Sequence, residues 1–297
     1  MSFQWRVVLR SMRPKHWIKN LLVFSLPLSD GRIIGSNFNN DSLWRATVIF
    51  VCLSAMSSAN YIFNDLVDIE LDRNHNQKKF RVFASNQLSA AQGFLIAFVL
   101  ITFSLGISML FISINVSILV GVFGLLQIAY TLIFKHLSGY DLIALSVLYV
   151  YRAIIPAEYE NIQVSNWYLL LFFASALFLS SGKRYAEVSN ASKLLTRKTM
   201  ESYTEVQLLL WIAVSVSLLL ISYVNWAFTF LASPGLFFLI ASLLVMMVIL
   251  IRISFFVTSK DGEDPINVFF IQKDLLVLMT IWLFLYLGGK GYLWFTF

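Results

Sequence analysis

Charged residues, cysteine and proline are all scarce in this sequence, and each shortage excludes a class of protein. Only 13% of the 297 residues are charged, whereas a soluble domain carries about 25%, so the chain is neither a soluble enzyme nor a disordered segment. The single cysteine, Cys52, excludes a disulfide scaffold and a metal site made of cysteines. The five prolines form no matching pattern in two halves of the chain, which counts against a transporter built from repeats with broken helices.

Hydrophobic residues are abundant, at 59% of the chain, and they form long continuous runs. The runs are roughly 18 to 25 residues long, enough to cross a hydrocarbon core about 30 Å thick as a helix. They do not alternate with polar residues, which excludes a transmembrane β-barrel. We therefore predict an all-α, polytopic membrane protein. The nine predicted spans are residues 17–34, 43–63, 91–113, 115–134, 140–157, 167–182, 206–230, 235–257 and 274–293.

Basic residues indicate how the predicted spans are oriented. Most of the 22 lysine and arginine residues fall in alternate loops, and cytoplasmic loops are the ones enriched in these residues. This predicts an integral protein of the inner (cytoplasmic) membrane with a cytoplasmic N-terminus and an external C-terminus. The loops 64–90, 183–205 and 258–273 also hold most of the acidic residues, so we expect the active site to face the cytoplasm. Residues 1–15 have no signal-peptide cleavage site, and we expect the mature chain to begin at Met1.

The end of the second predicted span carries an amide and three carboxylates at helical spacing. Asn64, Asp68 and Asp72 follow at intervals of four, and Asp65 lies three residues before Asp68, so a continuous helix places all four on one face. Three carboxylates on one face repel each other unless a metal ion or the bundle's own lysines and arginines neutralise them. Their oxygens suit Mg²⁺, which combines one or two carboxylates with water and substrate phosphate. The spacing predicts a magnesium–diphosphate site, and the alternative is a solvated acidic helix end.

The resemblance to a known family begins at this acidic face. Basic side chains that could bind phosphate oxygens follow it directly: Arg73, His75, Lys78, Lys79 and Arg81. The pattern Asn-Asp-x-x-Asp-x-x-x-Asp at 64–72, followed by Arg73, His75, Lys78 and Arg81, resembles the first signature of the UbiA superfamily of intramembrane prenyltransferases. The resemblance implies nine transmembrane helices around a cytoplasm-facing central cavity, in a single UbiA-like domain over residues 1–297.

A second segment separates the branches of this superfamily. Its aromatic prenyltransferases carry a second acidic motif after the sixth helix, where this chain has Ser-Ser-Gly-Lys-Arg-Tyr-Ala-Glu at 180–187. A basic segment suits a phosphate monoester better than a second metal, because lysine and arginine bind the anion directly. The alternative is that Lys183 and Arg184 only set the topology.

Further segments resemble the decaprenyl-phosphate phosphoribosyltransferase branch. They are residues 13–20 (Arg-Pro-Lys-His-Trp-Ile-Lys-Asn), Tyr130 with Lys135 and Asp141, Tyr151-Arg152, and Asp264-Pro265 with Lys273-Asp274. That branch transfers 5-phosphoribose from phosphoribosyl pyrophosphate to a polyprenyl phosphate. The resemblance therefore implies these two substrates, Mg²⁺ as cofactor, a membrane setting and no nucleic-acid partner. The chain departs from the branch at Asn76, Val82 and Asn86, where the branch has proline, proline and glycine.

The expected site follows from the spacing and the resemblance together. Asp65, Asp68 and Asp72, with Asn64, are expected to hold Mg²⁺ on the diphosphate, and these three carboxylates are the predicted catalytic residues. The other predicted substrate-binding residues are Lys15, Lys19, Asn20, Lys78, Arg81, Tyr130, Lys135, Asp141, Arg152, Lys183, Arg184 and Glu187. Lys78 and Arg81 are expected on the diphosphate, whereas Lys135, Arg152, Lys183 and Arg184 are expected on the acceptor phosphate or the donor's 5-phosphate.

Alternatives remain open at this stage. Arg152 lies within a predicted span, where an ionisable residue is costly and usually faces a polar interior, but it could also pair with Glu158. An aromatic or quinone prenyltransferase that uses a prenyl diphosphate shares the first motif. A lipid or solute transporter and a structural membrane subunit are the non-enzymatic alternatives. A purely structural subunit does not need carboxylates at helical spacing.

Overall fold

The computed structural model describes residues 5–34, 37–75, 77–189, 202–228, 235–258 and 272–291, and all its regular elements there are helices. The α-helices are α1 (Trp5–Met12), α2 (Ser25–Ser29), α3 (Asn40–Val67), α4 (Ile69–Arg73), α5 (Ala90–Phe111), α6 (Ile114–Leu132), α7 (Tyr140–Glu160), α8 (Asn166–Ser189), α9 (Glu205–Phe228), α10 (Leu236–Val257) and α11 (Lys273–Gly289). Short 3₁₀ helices occupy Pro14–Phe24, Lys78–Phe80 and Phe134–His136. The all-α prediction is confirmed.

Six helices in the described ranges are long and apolar enough to cross a membrane, namely α3, α5, α6, α7, α9 and α10. They make the chain an integral membrane protein. The predicted spans 167–182 and 274–293 correspond to α8 and α11, but α8 ends in charged residues and α11 has only 17 residues. The count of nine spans, the single domain and the orientation of the termini stay predictions.

The first predicted span, residues 17–34, differs from expectation. It is a 3₁₀ helix over Pro14–Phe24 followed by the short α2, instead of a continuous α-helix. Pro27 accounts for part of this, because a proline lacks the N–H donor and its ring clashes with the carbonyl four residues earlier in an α-helix. Pro14 fits at the start of the 3₁₀ helix, where its missing N–H would have no partner.

The chain divides into two compact units. Unit 1 comprises Met1–Asp30, Asn39–Lys135 and Tyr151–Ile162, and unit 2 comprises Gly31–Phe38, His136–Val150 and Gln163–Phe297. Within unit 1, α3 packs against the 3₁₀ helix, α5 and α6. Small buried residues such as Ala55 and Ala59 line α3, and small residues let membrane helices approach closely.

The junction of α3 and α4 determines how the acidic residues are presented. Asp68 stands between the two helices with φ −92° and ψ 8°, outside the helical range. The hydrogen bonds nevertheless continue through it, since the N–H of Asp68 donates to the carbonyl of Asn64 and the N–H of Asp72 donates to that of Asp68. The expected continuous helix is thus interrupted at one residue, while the four-residue spacing is preserved.

In unit 2, α8 packs against α9, and α10 packs against α11. Aromatic side chains fill part of its interior: the ring of Trp226 stacks on Tyr286 with centroids 5.2 Å apart, and it meets Tyr168 edge-on. The hydroxyl groups of Tyr223 and Ser242 are 2.7 Å apart. This hydrogen bond satisfies two hydroxyl groups that would be costly to leave unpaired in a buried interior.

A glycine in α5 tests how tightly unit 1 is packed. A Cβ at Gly93 would lie 2.7 Å from Cε1 of Phe83, a fully buried ring, whereas one at Gly106 on the same helix would meet nothing within 4 Å. We expect Gly93→Ala to lower the free energy of unfolding by about 1–3 kcal/mol through overpacking. Gly106→Ala is the control, and it should leave stability unchanged or raise it because alanine favours helix. Thermal unfolding in detergent measures both, and equal effects would contradict the packing argument.

Candidate active site

The end of α3 and the start of α4 bury three carboxylates. Asp65, Asp68 and Asp72 are 4%, 7% and 4% exposed, and the half-buried Asn64 lies with them. We call these four residues the carboxylate cluster. Glu70 instead is exposed and accepts a hydrogen bond from Arg73. A solvated helix end would leave all the acids exposed, so the burial of these three supports a specific role.

Three cations neutralise the carboxylate cluster. Nη1 of Arg81 donates to Oδ1 of Asp65 at 3.2 Å and to Oδ2 of Asp72 at 2.6 Å. Arg13 donates to Oδ1 of Asp65 at 2.5 Å. Nζ of Lys135, which is only 2% exposed, donates to Oδ1 of Asp68 at 2.8 Å and to the side-chain oxygen of Asn64 at 3.3 Å. We call Arg13, Arg81 and Lys135 the internal counter-ions.

The donor atoms of this cluster suit a hard divalent cation. Asp65 and Asp72 accept from the same nitrogen of Arg81. One oxygen of each carboxylate therefore already contacts the same positively charged group. In the described part of the chain, no three Asp, Glu, His or Cys side chains lie close enough together to hold a metal by themselves. Mg²⁺ does not need three, because it uses one or two carboxylates and takes its other ligands from water and phosphate. The residues present therefore fit Mg²⁺ bound together with a phosphate-bearing substrate.

Arg13 was not among the predicted site residues, although it opens the segment 13–20. It follows α1 with φ 52° and ψ 61°, a left-handed conformation that is costly for a residue with a side chain. Its guanidinium group lies over the ring of Tyr61, 5.2 Å from the centroid. The contacts with Asp65 and Tyr61 are therefore the interactions that hold this strained residue. The sequence offered one signal for Arg13, namely its position directly before Pro14 at the start of the segment 13–20.

Other residues of the first two basic segments surround this region of unit 1. Lys15 is exposed, whereas Lys19, Lys78 and Tyr130 are half-buried. The backbone N–H of Lys78 donates to Nδ1 of His75, and burial together with the charge of Lys78 lowers the pKa of that histidine. Each residue keeps its predicted role as a proposal.

Asn86 explains one departure from the branch pattern. It adopts φ 56°, and its side-chain oxygen accepts from Arg73 at 2.8 Å. Glycine is the usual residue in this left-handed conformation, and asparagine is among the few others that tolerate it. The replacement of glycine at this position is therefore compatible with the same turn.

Arg152 lies away from the carboxylate cluster within unit 1. Its Nε donates to the side-chain oxygen of Asn20 at 3.0 Å, and Asn20 donates to Oγ of Ser54 at 3.1 Å. Ser54 precedes Asp65 by eleven residues, which is about 16 Å along the axis of α3. The guanidinium group also lies over the ring of Phe123. Glu158, the alternative partner, instead accepts from Asn115.

Unit 2 contains a second charged group, which we call the arginine cluster: Asp141, Lys183, Arg184, Glu187 and Tyr203. Nε of Arg184 donates to Oδ2 of Asp141 at 2.9 Å, and its Nη1 donates to Oε2 of Glu187 at 2.6 Å. Lys183 Nζ is 4.0 Å from the other oxygen of Glu187, and the lysine is half-buried. The segment 183–187 lies in the last two turns of α8 and not in a loop as expected. Its lysine and arginine pair with the glutamate across one helical turn, which stabilises a helix.

Tyr203 was missing from the predicted site. Its hydroxyl donates to Oδ1 of Asp141 at 2.5 Å and accepts the backbone N–H of Gly139 at 2.6 Å. Burial and the bond to Asp141 raise the pKa of Tyr203 to about 12.

Asp264 and Pro265, expected in the last cytoplasmic loop, lie outside the described residues, whereas Asp274 accepts a hydrogen bond from Arg252.

Comparison with known proteins identifies the family. Residues 33–288 match the UbiA prenyltransferase family, and the chain belongs to it. It is 31% identical over 283 residues to a decaprenyl-phosphate phosphoribosyltransferase of Corynebacterium glutamicum, covering 93% of this chain and 84% of that protein. It is 30% identical over 282 residues to the enzyme of the same name from Mycobacterium tuberculosis, covering 93% of this chain and 91% of the relative.

Solved structures support the fold. A UbiA homologue from Archaeoglobus fulgidus bound to GPP and Mg²⁺ superimposes with a TM-score of 0.70, covering 96% of this chain and 99% of that one at 14% sequence identity. The same homologue bound to DMAPP and Mg²⁺ gives a TM-score of 0.69. At this identity the likeness establishes a UbiA fold and does not identify the substrates.

The buried pair of Lys135 and Asp68 gives a stability prediction. We expect Lys135→Met to lower the free energy of unfolding by about 3–5 kcal/mol, because it leaves a buried carboxylate without its counter-ion. The double variant Lys135→Met/Asp68→Asn should recover most of this loss, since no uncompensated charge remains. Lys79→Met, at an exposed lysine, is the control and should change stability by less than about 0.5 kcal/mol. Thermal unfolding in detergent measures all three, and a double variant as unstable as Lys135→Met would contradict the pairing.

Proposed function

We propose that this protein transfers 5-phosphoribose from phosphoribosyl pyrophosphate to a polyprenyl phosphate and releases pyrophosphate. The observation that carries the proposal is the arginine cluster, which stands at the end of α8 where the aromatic prenyltransferases of the superfamily have a second acidic motif. Arg184 is 5% exposed and is oriented by two carboxylates. A buried, oriented arginine suits a phosphate group. The similarity to two decaprenyl-phosphate phosphoribosyltransferases along 93% of the chain supports the same activity.

The carboxylate cluster is the proposed site of the donor's diphosphate. Asp65, Asp68 and Asp72, with Asn64, would hold Mg²⁺, which when bound offsets the negative charge of the departing pyrophosphate. Because Arg81 already contacts two of these carboxylates, its guanidinium group is close enough to exchange them for phosphate oxygens. Lys78 and Arg13 provide further positive charge for the same diphosphate. Lys135 was first expected on the acceptor phosphate or the 5-phosphate, and its contact with Asp68 favours the diphosphate instead. Lys15, Lys19 and Tyr130 are proposed to contact the substrates from neighbouring segments.

The arginine cluster is the proposed site of a phosphate monoester. Arg184 would bind its oxygens directly, with Lys183 adding a second charge at the more exposed end. Asp141 and Glu187 serve this role indirectly, since they fix the plane of the guanidinium group. Asn20 joins the 3₁₀ helix to α3 through Ser54. Arg152 in turn joins α7 to Asn20, and the phosphate contact first expected of Arg152 stays a prediction.

The proposed chemistry needs no general base from the chain. The acceptor phosphate is already an anion near neutral pH, and one of its oxygens forms the bond to C1 of the ribose while the bond from C1 to the pyrophosphate oxygen breaks. The residues of both clusters therefore act by positioning and by stabilising negative charge.

We place this reaction at the cytoplasmic face, with the N-terminus cytoplasmic and the C-terminus external, in a single domain.

A parallel assay with two substrate pairs tests the function. Purified protein with Mg²⁺ receives labelled phosphoribosyl pyrophosphate with a polyprenyl phosphate, or a labelled prenyl diphosphate with 4-hydroxybenzoate. We expect label to enter the lipid product only in the first pair. A product formed only in the second pair would overturn the proposal and indicate an aromatic prenyltransferase.

Asp68→Asn tests the role of the carboxylate cluster. We expect it to reduce Mg²⁺-dependent turnover per folded protein at least about a hundredfold, the scale of losing one interaction with developing charge. The protein should remain inserted and folded, but with a lower unfolding midpoint, because the buried Lys135 loses its counter-ion; thermal unfolding in detergent is therefore measured in parallel. Glu70→Gln is the matched control, because this acid lies two residues away but forms only an exposed pair with Arg73, and such pairs contribute little. Full activity of Asp68→Asn would contradict the metal assignment.

A further inference from the structure

The hydroxyl of Tyr203 has a defined direction. A tyrosine hydroxyl donates one hydrogen bond and accepts others. The backbone N–H of Gly139 can only donate, so the hydroxyl oxygen of Tyr203 accepts this hydrogen bond, at an N···O distance of 2.6 Å. The hydroxyl proton is therefore directed at Oδ1 of Asp141, 2.5 Å away, while Oδ2 accepts from Arg184.

The backbone at Gly139 supports this geometry. Gly139 has φ 81°, a left-handed conformation that glycine adopts without strain, and it directly precedes the first residue of α7. Its N–H faces Tyr203, and Asp141 lies in the first turn of the helix. Asp141 is fully buried, so its carboxylate depends on protein donors in place of water.

We propose that Tyr203 is a positioning residue for phosphate binding, which acts by fixing Asp141 so that Asp141 and Glu187 together hold the guanidinium plane of Arg184. This inference rests on the proposed role of Arg184 in binding a phosphate. A long arginine side chain loses much rotamer freedom when it binds an anion, and a side chain that is already oriented loses less. Without the hydroxyl, one oxygen of Asp141 loses its donor and the carboxylate is free to turn away from Arg184.

The ring of Tyr203 has a separate, purely structural role. It packs in an apolar cluster with Leu142, Leu177 and Leu208, and Tyr185 packs against the same cluster. Phenylalanine at position 203 keeps this packing and removes only the hydroxyl. Tyr185→Phe makes the same chemical change beside the cluster and is the matched control.

A double-mutant cycle separates positioning from packing. Tyr203→Phe, Arg184→Gln, the double variant and Tyr185→Phe are purified in detergent as full-length chains. The steady-state constants for both substrates are measured for each protein, together with the Kd of inorganic phosphate by calorimetry in the absence of metal. Thermal unfolding monitors stability in parallel.

We expect Tyr203→Phe to raise the Kd of inorganic phosphate, and the KM of the substrate that Arg184 binds, about tenfold, the scale of one hydrogen bond to a charged group. The kcat should stay close to wild type, and the unfolding midpoint should fall by only a few degrees, because the buried Asp141 loses one donor but keeps Arg184. Tyr185→Phe should behave as wild type. In the Arg184→Gln background, Tyr203→Phe should have no further effect, because contacting residues that act through one another are not additive.

Two outcomes would overturn the inference. One is an equal effect of Tyr203→Phe in both backgrounds, and the other is a loss of stability that removes both kcat and binding, since either would make the hydroxyl merely structural. Failure of the proposed function would appear differently, as a wild-type protein that does not transfer phosphoribose while the phosphate-binding cycle still shows coupling.

Discussion

The burial of three carboxylates at the junction of α3 and α4 is the constraint on which the rest of unit 1 depends. Charges of one sign within a few residues cannot be removed from water without partners of the other sign. The partners come from distant parts of the chain: Arg13 before the first 3₁₀ helix, Arg81 after α4, and Lys135 after α6. Neutralising the acids therefore fixes the positions of three segments that would otherwise be independent.

Such an arrangement does not serve stability best. Replacing a buried ion pair by apolar residues of similar volume is often neutral or stabilising, so a bundle selected only for stability would not need three acids here. The ion pairs are better explained if their members exchange partners when the substrate binds. A site that takes a metal and a diphosphate gains one positive and one negative partner together, and the carboxylates and the internal counter-ions can each bind one of them. The number of buried charges stays balanced in both states.

The sequence was most informative where local periodicity determines position. The spacing of Asn64, Asp68 and Asp72 predicted a shared face, and it survives the interruption at Asp68 because the backbone hydrogen bonds continue. Contacts across long sequence separations could not be predicted. Tyr203 lies 62 residues from Asp141, and nothing in its neighbourhood marks it. Arg152 was recognised as costly within a span, but its partner Asn20, 132 residues away, depends on how the first segment packs.

The two clusters hold their arginines in opposite ways, and the difference suits two kinds of anion binding. Arg81 bridges two carboxylates that a divalent cation can also use, so its contacts compete with the expected cofactor and can be released when that cofactor binds. Arg184 is held by Asp141 and Glu187, and Asp141 is tied in turn to Tyr203. A bare phosphate brings no cation that would compete for Asp141 or Glu187. An arginine held in this way keeps its orientation while the anion binds, as direct phosphate recognition requires.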